Sequence, residues 1–489
     1  SALWKSSLKF DTLAPRMTTL TLQTDMQGMD VQLPVPFAKA TERALPLRIE
    51  KQFTGDMLEP WKIQYGQVLN GLMVLNEQDA EHAIRRANFS LFKPARLPVT
   101  DEILINGKTE YLSWESWSRV IDSLPESSSG YQPIRIDLQA NQIEAFQRRI
   151  EKVKIQAENA PDHWLVTLRS RDIAGTLNIP SNPSLTVKAK LDHLHLRDGQ
   201  ILQEPEAFGS RATPADLSPI DLDIQNMTYN EMKLGHMKLL ASRRPNAIII
   251  DHLETNTEAT QITGTGAWTM DPSGRQSSVV DLKIHSQNAA ATLSEWQYTQ
   301  GLDGGTGEAQ VNINWSGSPR DFSLAAIKGD INFQLRNGRI LDIDPGAGRI
   351  FGLLSLQTLT KRLSLDFSDI FNKGFSFDKI SGQFSVHDGN AYTDNFMIEG
   401  PAAKMAMNGR VGLVKKDYNQ KLTIIPQVGS SLPLAGALAG GVGVGAAVFV
   451  IQKIFEPQID NAVSIQYSVT GDWSNPIVTK IQRKKRNRK

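Results

Sequence analysis

Apolar and polar residues alternate at every second position through most of this chain, and no other feature constrains its fold as strongly. Ile134, Ile136 and Leu138 are separated by Arg135 and Asp137, and Trp164, Val166 and Leu168 by Leu165 and Thr167. Val311, Ile313 and Trp315 alternate with asparagines, and Ile331, Phe333 and Leu335 with Asn332 and Gln334. Met405 with Met407, and Ile465, Tyr467 and Val469, repeat the pattern. Successive side chains of a strand point to opposite faces, so period two describes strands with one apolar and one wet face. Such sheets are characteristically antiparallel. Asn337-Gly338, Asp388-Gly389-Asn390 and Asn408-Gly409 each precede another strand-like run and are expected as tight hairpin turns. Asp271 to Arg275 is expected as a longer turn.

Helical patterns are few. The sequence predicts short helices near 113–124, where Trp114, Trp117, Val120, Ile121 and Leu124 share a face, and near 288–296. A third is predicted over 346–363, after the Asp344-Pro345 cap pair. Segments 125–133 and 203–219 read as loops too short to separate domains. About 25–30 strands at ~4.8 Å spacing would extend on the order of 120–140 Å if the sheet never closed. The expected fold is therefore mostly β: a long antiparallel curled sheet forming an open hydrophobic groove, with a few short helices. Its expected organisation is a continuous body over 1–428, a Gly/Ala-rich apolar helical segment over 429–457, a terminal strand within 458–481 and a disordered basic tail over 482–489.

The 489 residues include no cysteine, which excludes disulfides, thiolate metal sites, iron–sulfur clusters and a cysteine nucleophile. The 53 Lys and Arg and 52 Asp and Glu look balanced, but seven of the basic residues lie in Lys480–Lys489. The remainder is mildly acidic, which argues against nucleic acid as a partner. The tail suits either contact with anionic headgroups or simple solvation. The chain opens on Ser1-Ala2-Leu3-Trp4 with strand-like sequence and no signal-peptide pattern, and is read as the C-terminal part of a longer protein or a processed chain. Leu432–Ile451 is apolar enough in length to cross a bilayer, but five glycines, five alanines and Pro433 weaken its insertion tendency. It reads either as a buried helical hairpin or as a membrane-touching helix, with Leu434, Leu438, Val444 and Phe449 as candidate membrane- or partner-docking residues.

Chemistry-bearing motifs are absent. There is no phosphate-binding loop, nucleophile elbow, HExxH or EF-hand pattern, and the eight histidines are scattered. Gly441, Gly443 and Ala446 match a dinucleotide loop only within a Gly/Ala run. His193 and His195 share a strand face without a third ligand at metal-binding spacing, and are expected as a solvent-facing pair; Asp344 is expected as a helix cap. No catalytic residue, cofactor or metal is expected. A long one-sided sheet with too few helices to cover it points instead to a surface, and acyl chains are its natural ligand.

The segments Gly338–Gln357 (GRILDIDPGAGRIFGLLSLQ), Arg362–Asp369 (RLSLDFSD), Gly374–Phe384 (GFSFDKISGQF), Ile398–Ala403 (IEGPAA) and Ser430–Gly440 (SSLPLAGALAG) carry a resemblance. They resemble the C-terminal domain of the YhdP branch of the AsmA-like envelope proteins, closely over about 329–476. The resemblance implies a β-groove protein of the Gram-negative periplasm, anchored in the inner membrane by an N-terminal segment that this chain lacks. It also implies movement of phospholipids toward the outer membrane, in support of the permeability barrier, with both membranes and envelope proteins at either end as partners. Candidate groove residues contacting acyl chains are Val311, Ile313, Trp315, Ile331, Phe333, Leu335, Phe384 and Val386. The alternative readings are an outer-membrane barrel-assembly or structural envelope protein without lipid conduction, and an enzyme acting on envelope glycans.

Overall fold

A computed structural model describes residues 3–11, 17–54, 59–76, 84–123, 131–145, 148–198, 213–298, 301–341, 374–426 and 464–481. The chain divides into two compact units, Ser1–Arg211 with Ser218–Asn230, and Ala212–Leu217 with Glu231–Lys489.

The strands of the first unit are β1 (Lys5–Asp11), β2 (Met17–Thr24), β3 (Leu47–Phe53), β4 (Trp61–Tyr65), β5 (Leu69–Leu75), β6 (Ile84–Leu91), β7 (Ile103–Ser113), β8 (Ile134–Ala145), β9 (Arg148–Asn159), β10 (His163–Arg169), β11 (Ile173–Pro180), β12 (Val187–Leu196) and β13 (Ile220–Tyr229). Helix α1 (Trp114–Ser123) follows β7. Each strand pairs with its neighbours in chain order, antiparallel from β1 to β6 and from β8 to β12. Three ladders depart from the expected meander: β6–β7, β7–β8 and β12–β13 are parallel. Parallel neighbours need a crossover of roughly a dozen residues or more. Residues 92–102, the α1 segment 114–133 and residues 197–219 supply those connections.

The second unit contains β14 (Met232–Arg244), β15 (Ala247–Asn256), β16 (Thr260–Met270), β17 (Gln276–Ser286), β18 (Leu302–Ser316), β19 (Lys328–Ile340), β20 (Phe375–His387), β21 (Asn390–Glu399), β22 (Ala403–Gly412), β23 (Asp417–Pro426), β24 (Ile465–Asp472) and β25 (Ile477–Lys480). Helix α2 (Ala289–Glu295) lies between β17 and β18, capped by the Asn288 side chain accepting from the Ala291 N–H. All eleven ladders from β14–β15 to β24–β25 are antiparallel. The strands belong to one 25-stranded sheet, and among the described residues no ladder joins β1 to β13 or β14 to β25, so neither unit closes into a barrel.

Two of the expected hairpin turns are not turns. Asn337-Gly338 lies inside β19, and Asn408-Gly409 inside β22. At Asn337 the backbone enters the left-handed region (φ +54°), and Arg336 and Asn337 both face solvent. Across the ladder, Asp378 and Lys379 of β20 likewise fall between inward Phe377 and inward Ile380. Both strands thus change inward parity at one level while the ladder keeps its register. In the first unit Asn141 and Gln142 of β8 sit opposite Glu151 and Lys152 of β9 in the same way. At Gly409 (φ +126°) a Cβ would meet the Asn419 carbonyl oxygen at 2.4 Å, so the position needs glycine within the ladder. Asp388-Gly389 does form a turn, joining β20 to β21 with φ of +52° and +70°.

The main core belongs to the second unit. Phe375, Ile380, Phe384, Val386, Phe396, Ile398, Leu422 and Ile424 are buried within one cluster. At its rim Arg410 donates from Nη1 and Nη2 to the two carboxylate oxygens of Asp417, at 2.9 and 2.7 Å, across the β22–β23 ladder. This two-pronged bond holds the Asp417 carboxyl below its ordinary value of 3.8. Because folding lowers that pKa, the stabilisation is fully present above 3.8 and is lost as pH falls through the lower folded value. Asp417→Asn is expected to cost about 1–2 kcal/mol at pH 7. It should also flatten the acid limb of the stability curve, measured by urea denaturation from pH 7 down to pH 3.

Candidate functional site

The strand register of the second unit places apolar side chains in continuous rows. Leu282, Val311, Ile331 and Phe384 stand opposite one another on β17, β18, β19 and β20. Val280, Ile313, Gly329 and Val386 form the next row, and Ile284, Ala309, Phe333 and Gly382 the row on the other side. Further along, Leu335, Ile380, Ile398, Met405, Ile424 and Ile465 make one row over six strands, β19 to β24. Directly opposed residues share a face of the sheet, so these rows define one apolar surface.

All eight residues expected to line a groove lie on this surface, at different depths. Val311, Ile313, Ile331, Phe333 and Leu335 are half-buried. Phe384 and Val386 are 1% exposed and Trp315 is 6% exposed, all within the packed cluster. Phe333 stacks on Phe384 with centroids 6.0 Å apart, and Phe396 is tilted against Phe333 and edge-on to Phe384. Trp315 donates its indole N–H to the Ser318 carbonyl at 2.8 Å and meets the edge of Phe322. The outer members of the face therefore present apolar surface, while the inner members form its floor.

The first unit carries a face of the same kind, which the alternation hinted at around 134–138 and 164–168 without marking its extent. Leu22, Ile49 and Ile63 stand opposite one another on β2, β3 and β4, and the row continues through Gly71 to Phe89, Ile105 and Ile136. It goes on through Ala157 to Val166, Leu177, Ala189 and Leu222 of β13. No member of this row is charged, and most are half-buried. At one rim Phe37 packs on Tyr65 and edge-on to Trp117 of α1. Burial pushes the Tyr65 hydroxyl above its usual range, and that hydroxyl donates to the Phe37 carbonyl.

Among the described residues the histidines singled out by the sequence form a stacked pair rather than a cluster with carboxylates. His193 and His195 stack at 4.9 Å, half-buried rather than freely solvated as the spacing suggested. His193 Nε2 lies 3.1 Å from the Ser170 carbonyl, and His195 Nδ1 lies 2.8 Å from the Thr228 hydroxyl. Burial, and then the neighbouring His193, lower the His195 pKa and favour the neutral ring. Among the described residues no group of three or more His, Asp or Glu is placed to hold a metal ion. No described helix is long and apolar enough to cross a membrane. The expected helix at 346–363, the docking residues Leu434, Leu438, Val444 and Phe449, and the tail 482–489 lie outside the described residues.

The family model of the YhdP protein matches residues 1–478. The chain belongs to the YhdP family. Membership extends upstream of the motif-rich 329–476 stretch and takes in the strands of the first unit. Over 235 residues this YhdP-family chain is 29% identical to the intermembrane phospholipid transporter YhdP of Escherichia coli (strain K12). That match covers 48% of the chain and 18% of the relative, so the compared part is less than a fifth of that protein's length. No solved structure matches the chain.

Proposed function

We propose that the apolar faces of the two units carry phospholipid acyl chains, as part of an intermembrane transporter that crosses the periplasm of a Gram-negative bacterium. The observation behind this reading is the register: apolar rows run from strand to strand with half-exposed side chains and no charge within them. An acyl chain on such a face loses water contact at roughly 0.8 kcal/mol per CH₂, while its headgroup stays hydrated beyond the rim. Moving one strand along replaces one apolar stripe with a similar one, so the energy along the path is nearly level.

Val311, Ile313, Ile331, Phe333 and Leu335 are the residues in position to touch the chains; Trp315, Phe384 and Val386 back them. The relative's role as an intermembrane phospholipid transporter supports phospholipid as cargo. In this reading the chain binds rather than transforms its cargo, and a further segment of the whole protein anchors it in the inner membrane. The test is a photo-crosslinking residue placed at Val311 or Ile331 in the full-length protein in cells. Crosslinked phospholipid is the expected product at both positions, with little from the outward Asn312. Equal yields at all three, or no lipid at any, would sink the idea.

A further inference from the structure

The opposite, polar face of the second unit contains a cleft of about 600 Å³ that lipid carriage does not use. Its lining is ordered by the same register as the apolar face. Gln261, His285, Glu308, Gln334 and Ser381 stand opposite one another across β16 to β20. Beside them run Thr263, Lys283, Gln310, Asn332 and Gln383. The concavity has a local cause. The register shifts between Ser381 and Ser385 and again between Thr393 and Phe396, and the Gln383 N–H donates to Asn395 Oδ1 at 2.9 Å. Bulges of this kind bend the strands and raise Asn395 as the far wall.

Six of the lining side chains are carboxamides, those of Gln261, Gln310, Asn332, Gln334, Gln383 and Asn395. Those of Gln310, Asn332 and Gln383 make no hydrogen bond to another described residue, whereas Gln261 donates to Glu254 Oε1 at 3.1 Å. His285 Nδ1 lies 3.8 Å from Glu308 Oε1, and Lys283 and Glu308 place one cation and one carboxylate on the lining. A carboxamide offers both donors and an acceptor, which suits hydroxyl and acetamido groups. Other occupants fit less well. Lys283 is too little positive charge for nucleic acid, which needs several cations on its phosphates. Strand addition by a peptide needs a free edge, and β17 to β20 are paired on both sides. Ile284, Ala309 and Phe333 turn their side chains to the other face, so no acyl chain finds a seat. We infer that this cleft binds a neutral, N-acetylated sugar chain, its polar groups repeating along the amide row of Gln310, Asn332 and Gln383 at the ~4.8 Å strand spacing.

The probe is N-acetylchitotetraose, titrated calorimetrically into the intact chain. Saturable binding is expected, weakened at least about tenfold in the Gln310→Ala/Asn332→Ala double variant. Gln383→Lys, which places a cation on the amide row without truncating it, is expected to weaken binding as well. Gln139→Ala, an exposed amide of the first unit, should leave binding unchanged. Absence of saturable heat at millimolar probe overturns the inference, as does an equal loss in Gln139→Ala. If phosphatidylglycerol vesicles bind and the sugar does not, with the double variant releasing the vesicles, the cleft is a headgroup contact and the glycan assignment falls. Either result leaves the crosslinking test of the apolar face unaffected.

Discussion

Phe396→Ala is expected to remove about 3–5 kcal/mol of stability from the second unit. The Phe396 ring is fully buried, lies about 6 Å from both Phe333 and Phe384, and covers Gly382, where a Cβ would meet its ring at 3.1 Å. Truncation therefore opens a cavity that the backbone on either side cannot fill, because β20 and β21 are held by their ladders. Urea denaturation followed by tryptophan fluorescence reports it through Trp315, whose ring belongs to the same cluster. Val311→Ala, at a half-buried position, is expected to cost about 1 kcal/mol. Similar losses for the two variants would mean that the cluster does not close over Phe396 as the rings indicate.

Val311→Asp is expected to reduce phospholipid bound to the purified protein at least about tenfold, the equivalent of 1.4 kcal/mol or more, while the sheet stays folded. Val311 stands between Leu282 and Ile331 in an uncharged row. A carboxylate there keeps its own hydration through the open side but forces an acyl chain to desolvate it or leave a gap. The same charge at Phe384 would instead unfold the unit, since that side chain is 1% exposed. Native mass spectrometry measures bound lipid, and circular dichroism the fold. A folded Val311→Asp protein with wild-type lipid content would remove this face from the transport path.

Much of this architecture can be read in one dimension because a strand's facing repeats every two residues, whatever else the chain does. The alternations at 311–315 and 331–335 place Val311, Ile313, Ile331 and Phe333 on one face, and the register puts them there. The short helices at 113–124 and 288–296 were likewise visible as local periodicity, and α1 and α2 occupy those stretches. The same local logic failed at Asn337-Gly338 and Asn408-Gly409. Positive φ serves a hairpin turn and a position inside a continuous ladder equally well, and only the pairing partner distinguishes them.

Three features came from tertiary structure alone. Parallel pairing of β6–β7, β7–β8 and β12–β13 depends on where a crossover returns the chain, which residues 92–102, 114–133 and 197–219 do not encode in their composition. The depth of each face residue depends on how far the sheet curls, so Phe384 and Phe333 read alike in sequence yet differ in exposure. The amide cleft arises from bulges that bring Asn395 beside Gln383, twelve residues apart. The sequence by itself determined which residues share a face, because that is set by backbone geometry within a single strand. Curl, crossover direction and bulge position are properties of several strands together, and only the folded sheet decided them.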